Sequence, residues 1–156
     1  MATVSSATAV RLRPATMKDE ARLFAWRNDP VTREMSFDPN VIPEETHRRW
    51  LAALFRTRGE RLFIAEYDGD AIGTGRLTAM GKAVVVHVTI APEQRGKKYA
   101  ARVITALVEK AMEQGRDRIE AYIKSSNAAS LRAFAIAGFA EVRRDGDIVV
   151  MERACN

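Results

Sequence analysis

The chain has 156 residues, 47% hydrophobic and 29% charged, with a formal net charge of +5 and one cysteine. That length predicts a single core burying about 70% of the unfolded surface, and the composition excludes collagenous, disordered and disulfide-framework classes. The positive charge suits acidic partners, among them nucleic acid, a ribosome or phosphorylated small molecules, and a solvated basic face accounts for it equally.

Met1 to Ala9 carries neither a basic start nor an apolar core. A flexible tail over residues 1–9, one domain over residues 10–156 and a cytoplasmic location are therefore expected. Val10 to Arg13 alternates like a short strand that Pro14 ends, and Thr16 offers an N-cap to a helix carrying Ala21, Leu23, Phe24 and Trp26. That helix should stop near Trp26 to Pro30, because a proline disfavours helix in the residue before it. Val31 to Ile42 reads as irregular. Pro43 then opens a second helix with His47, Trp50, Leu51, Leu54 and Phe55 at helical spacing.

Leu62 to Tyr67 and Ala71 to Thr78 read as a hairpin around Asp68-Gly69, and Met80-Gly81 turns the chain into a β-branched strand that stops at Pro92. A basic loop, Glu93 to Ala100, precedes a helix with Val103, Ile104, Leu107, Val108, Ala111 and Met112 on one side. Arg118 to Ile123 is a further strand, Asn127 starts a short helix, and Val142 to Asp145 with Ile148 to Glu152 form a last hairpin around Gly146. The order is βααβββαβαββ. It predicts an α/β (α+β) fold with a mixed, mostly antiparallel sheet and helices on both faces.

The strand, basic loop and helix from Val84 to Gln114 form an anion site in outline. The first N–H groups of a helix have no partner within it, and the positive end of the dipole lies there. Arg95, Gly96, Lys97, Lys98, Tyr99 and Ala100 make up the loop. Neither the P-loop nor the dinucleotide-fold glycine spacing is present.

With this loop goes the stretch Asn127-Ala128-Ala129-Ser130, which runs through Phe134 to Gly138-Phe139. The two together resemble the GCN5-related N-acetyltransferase (GNAT) superfamily over nearly the whole chain, from about Val10 to Glu152. That family binds acetyl-coenzyme A with an Arg/Gln-x-x-Gly-x-Gly/Ala loop and an Asn-x-x-Ala/Ser helix. Two positions depart from its pattern: Lys98 stands where the loop usually has a glycine, and Phe134 where many members have a proton-donating tyrosine. The branches it looks most like are those acting on nucleotide-linked amino sugars in pseudaminic acid synthesis and on ribosomal-protein alanine.

The resemblance implies acetyl transfer from acetyl-coenzyme A to a primary amine without an acyl-enzyme. The best guess at the acceptor is the 4-amino group of a nucleotide-linked deoxyamino sugar. A protein N-terminus or lysine is the alternative, and an inactive acyl-coenzyme A binding module is the third. Val88, Thr89 and Ile90 would hold the pantetheine arm, with Asn127, Ser130 and Phe134 beside it. Asn127 equally suits an N-cap, and Gly138 a C-cap. The acceptor would meet Trp26, Arg27, Asn28, Arg33, Met35, His47 and Trp50, although the two tryptophans at helical spacing also suit a core. His87, Glu120 and Tyr122 are the candidate acid–base residues, His87 being equally at home as a structural, hydrogen-bonded histidine. No metal, membrane or nucleic-acid partner is expected, and the family allows a homodimer.

Overall fold

In the computed structural model, residues 9–155 are described, so most of the predicted tail lies outside the described residues. The strands are β1 (Arg11–Pro14), β2 (Glu60–Tyr67), β3 (Asp70–Met80), β4 (Ala83–Ile90), β5 (Arg118–Lys124), β6 (Ala140–Asp145) and β7 (Ile148–Ala154). The helices are α1 (Glu20–Asn28), α2 (Pro30–Glu34), α3 (Glu44–Phe55), α4 (Tyr99–Met112) and α5 (Ala128–Ile136). The seven strands lie in the order β1-β2-β3-β4-β5-β7-β6, and only the β4–β5 pair is parallel.

One element departs from expectation. Val31 to Ile42 is not wholly irregular, because α2 occupies its beginning. Asp29 Oδ2 accepts from the N–H groups of Val31 and Thr32, both at 3.1 Å. Pro30 pre-sets the first helical residue and that cap opens a helix of five residues with none buried. Upstream, the Thr16 hydroxyl accepts from Lys18 N–H at 3.2 Å and the Asp19 carboxylate accepts from Thr16 N–H at 3.0 Å. Arg13 donates to both oxygens of Asp19, at 2.9 and 2.7 Å, and so ties β1 to the start of α1.

The sheet carries a core on each face. Val103, Ile104, Leu107, Val108 and Ala111 of α4 and Ala133 and Phe134 of α5 pack with Leu77, Val84, Val86, Ile119 and Ala121. Leu23 and Trp26 of α1 and Leu51 and Leu54 of α3 pack with Leu62 and Ile64 on the other face. Alternation along β4 therefore sends Val84 and Val86 toward α4, and Val85 and His87 toward α1 and α3. Two glycines of β3 permit close approach. A Cβ at Gly73 would stand 2.4 Å from the Thr89 carbonyl oxygen, and one at Gly75 would stand 2.6 Å from Leu107 Cδ1.

Candidate active site

Strands β4 and β5 pair only from Ala83 to Val85 against Arg118 to Glu120, and then part. On its other side β4 stays paired with β3 as far as Ile90. Among the described residues, the edge of Val86 to Ile90 that faces β5 therefore has no strand beside it, and its backbone groups are open to a ligand. A cavity of about 580 Å³ lies here, with Val86, His87, Val88 and Thr89 on one wall and Tyr122, Ile123, Lys124, Asn127, Ser130 and Phe134 on the other. Val88 and Thr89 thus border the opening. Ile90 pairs with Gly73 and packs against the α4-side core.

Asn127, Ser130 and Phe134 reach the cavity together because they stand at i, i+3 and i+7 on one side of α5 and its cap. The Asn127 side chain accepts from Ser130 N–H at 3.1 Å, so the N-cap reading and the cavity-lining reading both hold. Phe134 meets the Phe139 ring edge-on, centroids 5.0 Å apart.

The basic loop ends in a left-handed residue. Lys98, at φ 64° and ψ 29°, is the N-cap of α4 and adopts the conformation a glycine would take. Among the described residues, no backbone or side-chain acceptor meets the N–H groups of Gly96, Lys97, Lys98, Tyr99 and Ala100. Lys97 Nζ donates to Gln94 Oε1 at 3.0 Å. Arg95 Nη2 donates to Asp29 Oδ2 and to Thr32 Oγ1.

On the α1 and α3 side, Trp26, Arg27, Met35, His47 and Trp50 line the cavity, whereas Asn28 and Arg33 do not. Those two brace the chain around it. Asn28 exchanges hydrogen bonds with the backbone of Ile42 at 2.9 and 2.8 Å, and Arg33 donates to the carbonyls of Asn28 and Pro39. Trp26 is core and cavity wall at once, while Trp50 is 45% exposed beneath Arg76. His47 is buried between the rings of Phe24 and Trp50, with no partner for Nδ1, and burial pushes its pKa down. Arg27 Nη2 donates to the Asp38 carbonyl at 3.0 Å, and its buried Nη1 has no acceptor.

Arg76 and Lys124 also line the cavity, and the reading of the sequence missed both. The signals were present. Counting outward from the Gly81-Lys82 turn puts Arg76 opposite His87, and alternation along β5 puts Lys124 on the side of Tyr122.

His87 faces Thr78, with its Nε2 3.3 Å from the hydroxyl. Burial first, and then the charge of Arg76, pushes its pKa down to about 3, so the ring is neutral. Glu120 is buried on β5. Burial pushes its carboxyl up, but hydrogen bonds from Arg118 and Tyr122, each 2.8 Å, together with the positive charge of Arg118 hold it below the usual range. Burial and the bond to Glu120 push the Tyr122 hydroxyl up. Tyr122 borders the cavity, and Glu120 stands behind it. Among the described residues, no group of three potential metal ligands comes together, and no helix is long and apolar enough to cross a membrane.

The parted strands and the unpartnered loop together leave room for an extended ligand that ends in an anion. Over residues 9–140 the sequence matches the family model described as an acetyltransferase (GNAT) domain, and the chain belongs to that family. It is therefore an acetyl-coenzyme A-dependent N-acetyltransferase. No curated protein sequence matches it. Among solved structures it is similar to the spermidine N-acetyltransferase from Vibrio cholerae in complex with CoA and spermine, at 18% identity and TM-score 0.84 over 93% of this chain and 95% of that one. It is also similar to AAC(6')-Ib in complex with ribostamycin and coenzyme A, at 20% identity and TM-score 0.82 over 94% and 93%. A third likeness is to a domain from Methanocaldococcus jannaschii, at 16% identity and TM-score 0.84 over 94% and 99%. At these identities the likeness is one of fold.

Proposed function

We propose that the protein transfers the acetyl group directly to the primary amine of a small molecule that also carries negative charge, the 4-amino group of a nucleotide-linked deoxyamino sugar fitting best. The observation that carries this reading is the charge of the cavity wall: among the described residues Arg27, Arg76 and Lys124 line it against the one carboxylate of Asp38, and of the three cations only Arg76 is paired, with Glu60 at 3.1 Å. A polycation would meet like charge there, at about 3 kcal/mol for each pair ~6 Å apart in an effective dielectric of about 20. A phosphate, by contrast, suits guanidinium groups. The volume lies within the range of small-molecule sites.

In this reading acetyl-coenzyme A supplies the activated acetyl group and a thiolate leaving group. The N–H groups of Gly96 to Ala100, with Lys97 and Lys98, hold the diphosphate. The open edge of Val88 to Ile90 holds the arm, beside Asn127, Ser130 and Phe134. The unmet donors of the loop and the missing strand beside β4 fit such a ligand. Tyr122 would give a proton to the departing thiolate and regain one, through solvent, from the nitrogen that has attacked, while Glu120 positions its ring. His87, a poor base with its lowered pKa, serves as a neutral part of the wall. Residues 10–156 act as one domain, in a cytoplasmic setting that suits the free thiol of Cys155.

One observation favours a protein N-terminus instead: Phe37 and Trp50, 53% and 45% exposed, both line the cavity and would suit a peptide's first side chains. The test is thiol release from acetyl-coenzyme A by the purified protein. The acceptors are a nucleotide-linked 4-amino sugar, spermidine, an aminoglycoside and a short peptide. We expect the sugar nucleotide to give the highest kcat/KM, with its KM raised in Arg27→Ala. Preference for spermidine or the aminoglycoside would overturn the reading, and preference for the peptide would select the second one.

A further inference from the structure

Arg95 opens the basic loop, where a guanidinium is expected to serve phosphate. Its contacts lead elsewhere. Nη2 donates to Asp29 Oδ2 and, at 2.9 Å, to Thr32 Oγ1, residues more than sixty positions earlier in the chain. The same Asp29 oxygen caps α2 through Val31 N–H and Thr32 N–H. A helix of five residues does not hold itself in water, and α2 buries no residue against the core. What fixes it lies at its ends. At the first, Asp29 joins it to Arg95. At the last, Lys124 Nζ donates to the Glu34 carbonyl at 3.0 Å.

The chain leaving α2 is the wall of the cavity on the acceptor side, where Met35, Ser36, Phe37, Asp38 and Ile42 line it. That wall is hung from α1 and α2 by the Arg27, Arg33 and Asn28 side chains, which bind the backbone of Asp38, Pro39 and Ile42. We propose that Arg95 is a positioning residue for the acceptor wall, and that the Asp29–Arg95 pair is the strut by which the cofactor loop and the Met35 to Ile42 segment hold one another in place. Phosphate recognition at the loop then falls to backbone N–H groups and to Lys97 and Lys98, and cofactor and acceptor are presented to each other by one connected frame.

The inference rests on the reading of this cavity as the acceptor site, but its main readout does not need an acceptor. Hydrogen exchange is followed over residues 33–42 in Arg95→Gln, Asp29→Asn and the double variant, with exchange in the β3–β4 core as the control for folding. Asparagine keeps the cap and removes the charge. The pair is partly exposed, with side chains 34% and 17% accessible. Each single variant should therefore speed exchange about two- to fivefold, and the double variant should add nothing beyond the larger single effect. Thr32→Val, which removes only the second contact of the guanidinium, should act in the same direction by less.

Calorimetric titration with coenzyme A separates the two roles: Asp29→Asn should keep its affinity within about twofold. With any acceptor that turns over, Arg95→Gln should raise the acceptor KM about threefold or more and leave the acetyl-coenzyme A KM within about twofold, a split that general loosening would not produce. The proposal is overturned if Arg95→Gln leaves exchange over residues 33–42 unchanged while weakening coenzyme A tenfold or more, or if the two single effects on exchange multiply in the double variant. A failed acceptor assay with accelerated exchange would count against the proposed acceptor and leave the strut standing.

Discussion

Lys98 is the residue at which the loop's chemistry and its backbone pull apart, and replacing it in two ways separates them. Lys98→Ala and Lys98→Gly both remove the ammonium, but only the second removes the Cβ from a left-handed position. A Cβ there costs about 1–2 kcal/mol. Glycine gives back about 0.5–1 kcal/mol through the freedom it regains when unfolded. The glycine variant should therefore be more stable than the alanine variant by about 0.5–1 kcal/mol, a difference of about 1–4 °C in Tm for a chain of this size.

Thermal unfolding by calorimetry reads that difference, and titration with coenzyme A at low and high salt reads the charge. Lys98 is exposed, so both variants should lose affinity by the same few-fold factor, and the loss should shrink as salt screens the phosphates. Equal Tm values for the two variants would refute the claim that α4 begins on a strained residue. Tighter coenzyme A binding by Lys98→Gly than by Lys98→Ala would refute the claim that the backbone already has the shape the phosphates require.

Tyr122→Phe removes the proposed donor while keeping the ring, and should lower kcat about 10²- to 10⁴-fold with little change in either KM; unchanged kcat in a stopped assay of thiol release would exclude the role. His87→Asn should leave the pH dependence of kcat/KM between pH 6 and 9 unaltered, because His87 titrates near 3; loss of a limb from that profile would return it to candidacy as a base. Asp19 is held below the usual carboxylate range, chiefly by its hydrogen bond from Arg13. The stability it contributes is complete above the unfolded value of 3.8 and is lost as pH falls through the lower folded value. Asp19→Asn should cost about 1–3 kcal/mol in urea unfolding at pH 7, and the gap from the parent should close toward pH 2. A gap that persists there would show that the loss is not electrostatic.

What the sequence made legible were the features written locally. The β-branched run ending at Pro92, the basic loop and the apolar stripe of α4 lie within some thirty residues, and each carries its own signal. The contacts of Arg95 were illegible for the opposite reason. Its partner Asp29 is 66 positions away, and nothing in a one-dimensional pattern ties a loop arginine to the cap of a helix that was itself read as irregular. Lys98 was legible as a departure from the family's glycine, but its φ was not, because the left-handed conformation is imposed by the turn into α4 and not by lysine. Asn28, the last residue of α1, and Arg33 of α2 were recognisable as polar residues near the right place in the chain. Their service to the backbone of Ile42 and Pro39 depended on the path of a segment with no periodicity to read.

The neutral His87 bears on the missing base. An amine must lose its proton before it attacks, and the one carboxylate that lines the cavity among the described residues is that of Asp38. The two effects that drive His87 down to about 3, burial and the nearby charge of Arg76, act with the same sign on an ammonium in the same space. One unpaired cation about 6 Å away, at an effective dielectric of about 20, disfavours the protonated amine by about 3 kcal/mol. That is about two pKa units, or roughly a hundredfold more neutral amine at pH 7. Arg27 and Lys124 bind backbone carbonyls and have no carboxylate partner among the described residues. A wall cation that the acceptor's own negative charge leaves unpaired thus also favours its amine in the reactive form. A wall built this way has less need of a strong base than one lined by carboxylates, which would bind an amine tightly and hold it protonated.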